Sequence, residues 1–334
     1  MAKLLARVAP WLPLAKAPAD LPGRWTFRVL GKDDTAALWA LVNRDAVANV
    51  FVAAHLETMG SAAASFSGGE IVGMFDSHST GGVSSDSDGS GGDGSDSHST
   101  GGVNSDSDGS GGELVAACWA GVNLVPVGVN EETAPVFGHH LGRAGRTFSS
   151  IFGPSAGVMG IWSTFEDYSA EPFDVRPNQP LLTIDTEPLL APAADLRFTR
   201  PGELDALLPA CAAMFEEEVG YSPYIGGSEH YRRRVASLIT RKHSLAAFDD
   251  DGSVIFKAEL GTVSSQAVQV QGVWLDPDRR GQGLSAGYMA GVVAAARSLA
   301  PTVSLYVNSY NARALASYRS VGFTQAGTFS TVLF

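Results

Sequence analysis

Along the chain the apolar positions alternate between a period near two and a period near 3.6, and the switch points mark out its elements. Residues 28–30 read as a short strand and 32–42 as a helix whose apolar stripe is Leu38, Leu41 and Val42, with Asp33 or Asp34 at the N-cap. A second helix covers 46–59. The runs 70–75 and 113–119 read as strands that pair, 122–129 as a further strand, and 130–141 as a helix. A strand over 148–152, a helix over 158–168 and a strand over 180–184 follow. Much the same order then recurs. A strand at 195–199 leads into a helix over 202–218 with Leu204, Leu207, Leu208, Cys211 and Phe215 on one side, and a second helix spans 231–239. Strands 244–248 and 254–260 form a hairpin across Asp251-Gly252, and a central strand runs over 267–275. A helix carrying Leu284, Tyr288, Val292, Ala295 and Leu299 comes next, then a buried strand at 304–308, a helix from Asn311 and closing strands over 323–334.

One segment breaks the pattern. Residues 76–92 recur at 96–112 with Ser84 replaced by Asn104, and Asp93-Gly-Ser95 joins the copies. The stretch 76–112 holds seven Asp and no Lys, Arg or Glu, so it supplies more than half of the formal charge of −12. It has almost no apolar side chains to offset ordering entropy, which predicts disorder, and a hairpin tip tolerates it because loop closure costs rise slowly with length. Its Asp/Ser/Gly spacing imitates a calcium loop but lacks the terminal Glu, so no metal site is expected there. His78 and His98 read as solvated.

Composition narrows the function classes. The acidic balance argues against nucleic acid as a partner. No run approaches the roughly 20 apolar residues of a membrane span, and the early apolar stretch, broken by Pro10 and Pro13, reads as an N-terminal arm over 1–25 rather than a signal peptide. Cys118 and Cys211 sit in apolar surroundings as free thiols, which suits a cytoplasmic location.

The candidate chemistry lies in Gln271-Gly-Val-Trp-Leu-Asp-Pro-Asp-Arg-Arg-Gly-Gln-Gly-Leu-Ser285, a strand feeding a glycine turn at a helix start. The first amides of a helix lack intrahelical partners and carry partial positive charge, so a phosphate fits there; Gly281 and Gly283 remove the Cβ, and Arg280 adds a cation. About thirty residues later, Asn311, Ala314, Tyr318 and Gly322 are spaced to share a helix stripe. Together these halves resemble the acetyl-CoA site of the GCN5-related N-acetyltransferase (GNAT) superfamily. Its Arg/Gln-x-x-Gly-x-Gly/Ala pattern stands here as Arg280-x-x-Gly283-x-Ser285, with Ser at the last small position. The match covers roughly 195–334. With Met214-Phe-Glu-Glu-Glu-Val-Gly-Tyr-Ser-Pro223 it extends to an actinobacterial group of two-part GNAT proteins.

The resemblance implies a mixed α/β (α+β) fold of tandem GNAT-like domains, each a mixed, mostly antiparallel sheet flanked by helices: a degenerate copy over 26–185, a linker over 186–194 and an acetyl-CoA-binding copy over 195–334. In the first copy Glu131 and Glu132 stand where the phosphate turn would be, and carboxylates there repel pyrophosphate. The implied activity is direct transfer of an acetyl group from acetyl-CoA to a primary amine, on a small molecule or peptide. Backbone groups at Val273, Trp274 and Leu275 would take the pantetheine arm, Arg280, Gly281, Gln282, Gly283, Leu284 and Ser285 the pyrophosphate, and Asn311 the cofactor arm. Tyr318 would protonate the departing thiolate, and Glu217 would be the base, since the central strand offers only Gln269 and Gln271. The alternative is a non-catalytic acyl-CoA sensor or interaction module, and a homodimer is kept open. Gly153-Pro-Ser155-Ala-Gly157 satisfies a nucleophile-elbow string, but His230 and His243, the only later histidines, fall within the GNAT-like region, so it reads as a tight turn. His139 and His140 are adjacent and diverge around a helix, so no metal is expected.

Overall fold

The computed structural model describes residues 23–63, 69–77, 112–225 and 227–334. Most of the N-terminal arm and nearly all of the Asp/Ser/Gly insert lie outside these residues. The first half runs β1 (Trp25–Val29), α1 (Thr35–Val42), α2 (Val50–Met59), β2 (Glu70–Asp76), β3 (Glu113–Ala120), β4 (Asn123–Val127), α3 (Ala134–Arg143), β5 (Ser150–Pro154), α4 (Ser155–Phe165) and β6 (Asp174–Ile184). The second half repeats this order as β7 (Arg197–Phe198), α5 (Leu204–Val219), α6 (Ser228–Thr240), β8 (Ser244–Phe248), β9 (Val254–Val263), β10 (Ala267–Leu275), α7 (Leu284–Arg297), β11 (Thr302–Tyr306), α8 (Ala312–Val321) and β12 (Thr324–Leu333).

All strands join one twelve-stranded mixed sheet in the order β1-β2-β3-β4-β5-β12-β6-β11-β10-β9-β8-β7. Each half opens with antiparallel pairs and then a parallel step, β4 beside β5 and β10 beside β11. The last strand of each half crosses to the other. β6 pairs with β11, β12 pairs with β5, and β6 and β12 pair with each other at the centre. Packing follows the exchange. Val332 of β12 is fully buried among Ile151, Ile161 and Phe165 of the first half, whereas Leu182 and Ile184 of β6 are buried against Val303 and Leu305 of the second.

Several local expectations shift. Asp76, assigned to the insert, ends β2 instead, in register with Glu113, and its carboxylate takes an ion pair from Arg24. The closing strands are one ten-residue strand with register shifts that let it serve both neighbours. Leu299, placed on the packed stripe of α7, lies beyond the helix end and is 44% exposed. Among the described residues no helix is long and apolar enough to cross a membrane.

Because a residue from the last strand completes the core of the first half, Val332→Ala should cost about 2 kcal/mol, the order expected for a truncated buried aliphatic. Hydrogen exchange should show the lost protection in β5 and α4; loss confined to α7 and α8 would contradict the exchanged arrangement.

Candidate functional site

The central strand sets the site. β10 holds β11 only over Ala267–Gln269, and beyond that the parallel neighbours diverge. Its other edge stays on β9, but with a bulge between Gln271 and Trp274 where Gly272 takes φ +56. Val273, Trp274 and Leu275 are therefore left beside the opening with backbone groups that β11 does not pair. In the first half Pro126 packs under Gly153 and Gly157 at the corresponding divergence of β4 and β5, which fills it.

The turn that follows is built for a close approach. Asp276 accepts a hydrogen bond from the amide of Asp278 at 3.0 Å, shaping a short 3-10 turn at Pro277–Arg279. Gly281 and Gly283 have φ of +80 and +78, a conformation that favours glycine, and the space over both is open. Gly283 is the N-cap of α7, and no side chain caps the helix, so its first amides are available to an anion. Arg280 braces the turn by donating Nε to the Leu275 carbonyl at 3.0 Å. Gln282 donates to the Asp278 carbonyl, Leu284 is half-buried at the helix start, and the Ser285 hydroxyl bonds that of Ser317 at 2.9 Å, tying α7 to α8. In the first half the side-chain oxygen of Asn130 accepts from the amides of Glu132 and Thr133, and Glu132 pairs with Arg24, so the turn leading into that helix is already occupied by the chain's own side chains.

Opposite the turn, Asn311 is the N-cap of α8 rather than a member of its stripe: its side-chain oxygen accepts from the Ala314 amide at 3.1 Å. Tyr318 is 7% exposed, packs against Phe323 and reaches the same cleft. The structure brings Val273–Leu275, Arg280, Gly281, Ser285, Asn311 and Tyr318 together along one cleft of about 1370 Å³. Glu217 also lines it, but both its carboxylate oxygens sit 2.9 Å from Arg280, and Trp274 Nε1 donates to it at 3.3 Å.

Other groups in the cleft were not singled out from the sequence. Glu218 follows Glu217 and lines the same cleft as Arg176, Tyr306 and Tyr318. Its side chain is exposed to the cleft, yet the protein around it desolvates the carboxyl enough to raise it above the usual range, against the pull of Arg176. Burial pushes the Tyr306 phenol up to about 12 and raises Tyr318 as well, with Glu218 adding to both. Glu259, directly across from Gln271, is 1% exposed and takes hydrogen bonds from Lys257 at 2.7 Å, Gln271 at 3.1 Å and Arg234 at 3.2 Å. Burial opposes both charges of the Lys257–Glu259 pair, and their attraction overrides it, holding Lys257 up and Glu259 down. Glu259 is thus a poor proton acceptor. An alternating strand offered the signal: Lys257 and Glu259 interrupt the apolar run of β9 at every second position.

Residues 212–323 match the model of the Acetyltransferase (GNAT) family, and residues 106–207 match a domain of unknown function, DUF4081. Among solved structures, a GCN5-related N-acetyltransferase from Sphaerobacter thermophilus is 18% identical, with 94% of this chain and 96% of that chain covered at a TM-score of 0.54. A Drosophila protein is 10% identical, with 92% and 98% covered at 0.54. A GNAT-family acetyltransferase from Colwellia psychrerythraea is 14% identical, with 92% and 99% covered at 0.49. The first two show likeness of fold across nearly the whole chain. A comparison with curated proteins gives no match.

Lys257→Met should cost about 3–5 kcal/mol by leaving Glu259 buried without its main partner, and Lys257→Met with Glu259→Gln should recover much of that. Chemical denaturation of both variants checks this; equal losses would mean that an unpaired Glu259 is not the source of the cost.

Proposed function

The C-terminal half of this chain carries a GNAT acetyltransferase domain, and from that premise we propose that it moves an acetyl group from acetyl-CoA to a primary amine by direct attack. The observation that carries the reading is the unpaired stretch of β10 running straight into an uncapped, glycine-lined helix start. That combination accepts an extended amide-bearing arm followed by a pyrophosphate. Acetyl-CoA supplies the activated thioester. The amides around Gly281–Ser285 hold its phosphates with Arg280, which must then share or leave Glu217. Val273–Leu275 pair with the arm, and Asn311 lines the cleft beside it.

Two proton transfers remain for side chains. The incoming amine must lose a proton to attack, and the departing thiolate must gain one. Glu218 fits the first task better than Glu217: it is open to the cleft, its carboxyl is raised by the protein around it, and Arg280 does not pair with it. Tyr318 fits the second, because burial keeps its phenol protonated and therefore able to donate. The acetyl carbon leaves sulfur for nitrogen, and the amine proton and phenol proton balance the exchange.

Isothermal titration of acetyl-CoA tests the cofactor site. Saturable binding is expected, and Gly283→Asp should abolish it by adding a carboxylate and a Cβ at φ +78. Wild-type protein that takes up no acetyl-CoA would end this reading, and binding without transfer to any amine would leave a sensor.

Tyr318→Phe and Glu218→Gln should each lower turnover roughly 100-fold, the usual scale for a positioned acid or base. Glu218→Gln should also remove the rise in rate with pH through the raised carboxyl. A raised carboxyl binds more protons folded than unfolded, so between its ordinary and raised values it costs stability as pH increases. The same variant should therefore be no less stable than wild type at neutral pH. Lower stability together with an unchanged pH profile would assign Glu218 a structural role.

A further inference from the structure

The cleft does not stop at the cofactor groove. Past Glu218 and Tyr306 it continues over the exchanged strands, with Phe51 of α2 and Phe152 of β5 among its lining residues. The first half is fixed to the second beside this space: Glu57 of α2 accepts from the Ser265 amide at 2.9 Å and from its hydroxyl at 2.5 Å, on the turn between β9 and β10. Helices α2, α5 and α6 and the strand floor thus contribute to one chamber.

Its floor has a distinct chemistry. Thr331 of β12 donates to the Gln179 side-chain oxygen at 2.7 Å, Gln179 of β6 donates to the Asn308 oxygen at 2.9 Å, and Asn308 donates to the Tyr310 hydroxyl at 2.9 Å. Gln179 and Thr331 are 3% and 7% exposed, so this is a neutral polar chain set into the bottom of the cleft. The Ser150 hydroxyl donates to Asn123 at 2.9 Å farther along. Of the cations lining the cleft, Arg176 pairs with Asp174 at 2.7 Å and Arg234 with Glu259 at 3.2 Å, while Arg313 stands on α8 one turn before Ser317, at the phosphate end. Among the described residues Glu218 has Arg176 as a neighbour but no ion pair of its own.

We propose that this chamber, walled by the N-terminal half and floored by the Thr331–Gln179–Asn308 chain, is the acceptor site, and that it takes a single primary amine on an uncharged body rich in hydroxyl or amide groups. The proposal rests on the acetyl-transfer reading above. At the chamber end Glu218 is the carboxylate open to an ammonium group, since Glu217 stands at the rim beside Arg280. A polycation would leave further charges facing neutral amides, and an acidic acceptor would face Glu218 with Arg176 and Arg234 already held by Asp174 and Glu259. Neutral hydroxyl and amide groups, by contrast, can exchange hydrogen bonds with Ser, Thr, Asn and Gln side chains at little desolvation cost. The N-terminal half thereby acquires a task that its filled phosphate turn does not give it.

The experiment uses the full chain with acetyl-CoA and follows thiol release with glucosamine, alaninamide, spermidine and aspartate as acceptors. Glucosamine or alaninamide should exceed spermidine and aspartate in kcat/KM by about tenfold or more, a gap equal to one or two hydrogen bonds. Gln179→Leu and Thr331→Val should raise KM for the favoured amine about tenfold, with kcat and acetyl-CoA affinity nearly unchanged. If Gln179→Leu does not fold, Thr331→Val and Ser150→Ala carry the test, each checked by its thermal transition. Preference for spermidine or aspartate, an unmoved KM in the folded variants, or no turnover of either neutral amine by protein that binds acetyl-CoA would each overturn the assignment. Absence of acetyl-CoA binding is a separate result, and it removes the transfer reading itself.

Discussion

The structure depends on the backbone ladder between β6 and β12. These two strands run antiparallel through the middle of the sheet, each derived from one half and each hydrogen-bonded to the other. Their ladder turns two repeats of one element order into a single twelve-stranded sheet, and it distributes the buried apolar surface accordingly. The hydrophobic core of each half contains side chains that the other half contributes, so neither core is complete without the crossing. The same ladder supplies the floor of the cleft, because Gln179 and Thr331 belong to the two exchanged strands.

The electrostatics of the site follow from placement rather than from composition. Three glutamates in the cleft differ in what surrounds them. Glu217 meets Arg280 at the rim, Glu259 is locked to Lys257 in the interior, and Glu218 is open to the cleft with Arg176 as a partial counterweight. Identical side chains thus sit as a surface ion pair, a buried anion and a carboxyl raised above its usual range. Strand β10 acts in the same way through its backbone: the pairing it loses beyond Gln269 and the bulge at Gly272 create the opening that an extended ligand needs.

Much of this was legible in the sequence where the signal is local. The turn at Asp251-Gly252, the stripe on α5 and the glycine turn at Gly281 to Gly283 are each written in adjacent or helix-spaced residues, and each lies where the pattern put it. The GNAT domain was legible from the same local strings. Strand exchange was not, since β12 reads equally well as the edge of its own half; pairing partners of strands distant in sequence leave no local trace. Glu217 and Glu218 are likewise indistinguishable in a run of three acids: both line the cleft, and only the fold shows that Arg280 engages the first. Asn311 was placed by spacing on a stripe, while the competing tendency of Asn to cap a helix determined its geometry.

The crossing of the last strand also orders events during synthesis. Residues of the first half leave the ribosome with β5 facing an open edge, and its neighbour, β12, follows only after the other elements of the second half. Contacts of such sequence separation close late, so the first half must persist with an unpaired strand and an unfilled place for Val332 while some 150 further residues emerge. A nascent chain of this design is open to chaperones and to pairing with copies of itself throughout that interval. It becomes one cooperative body only when β12 arrives.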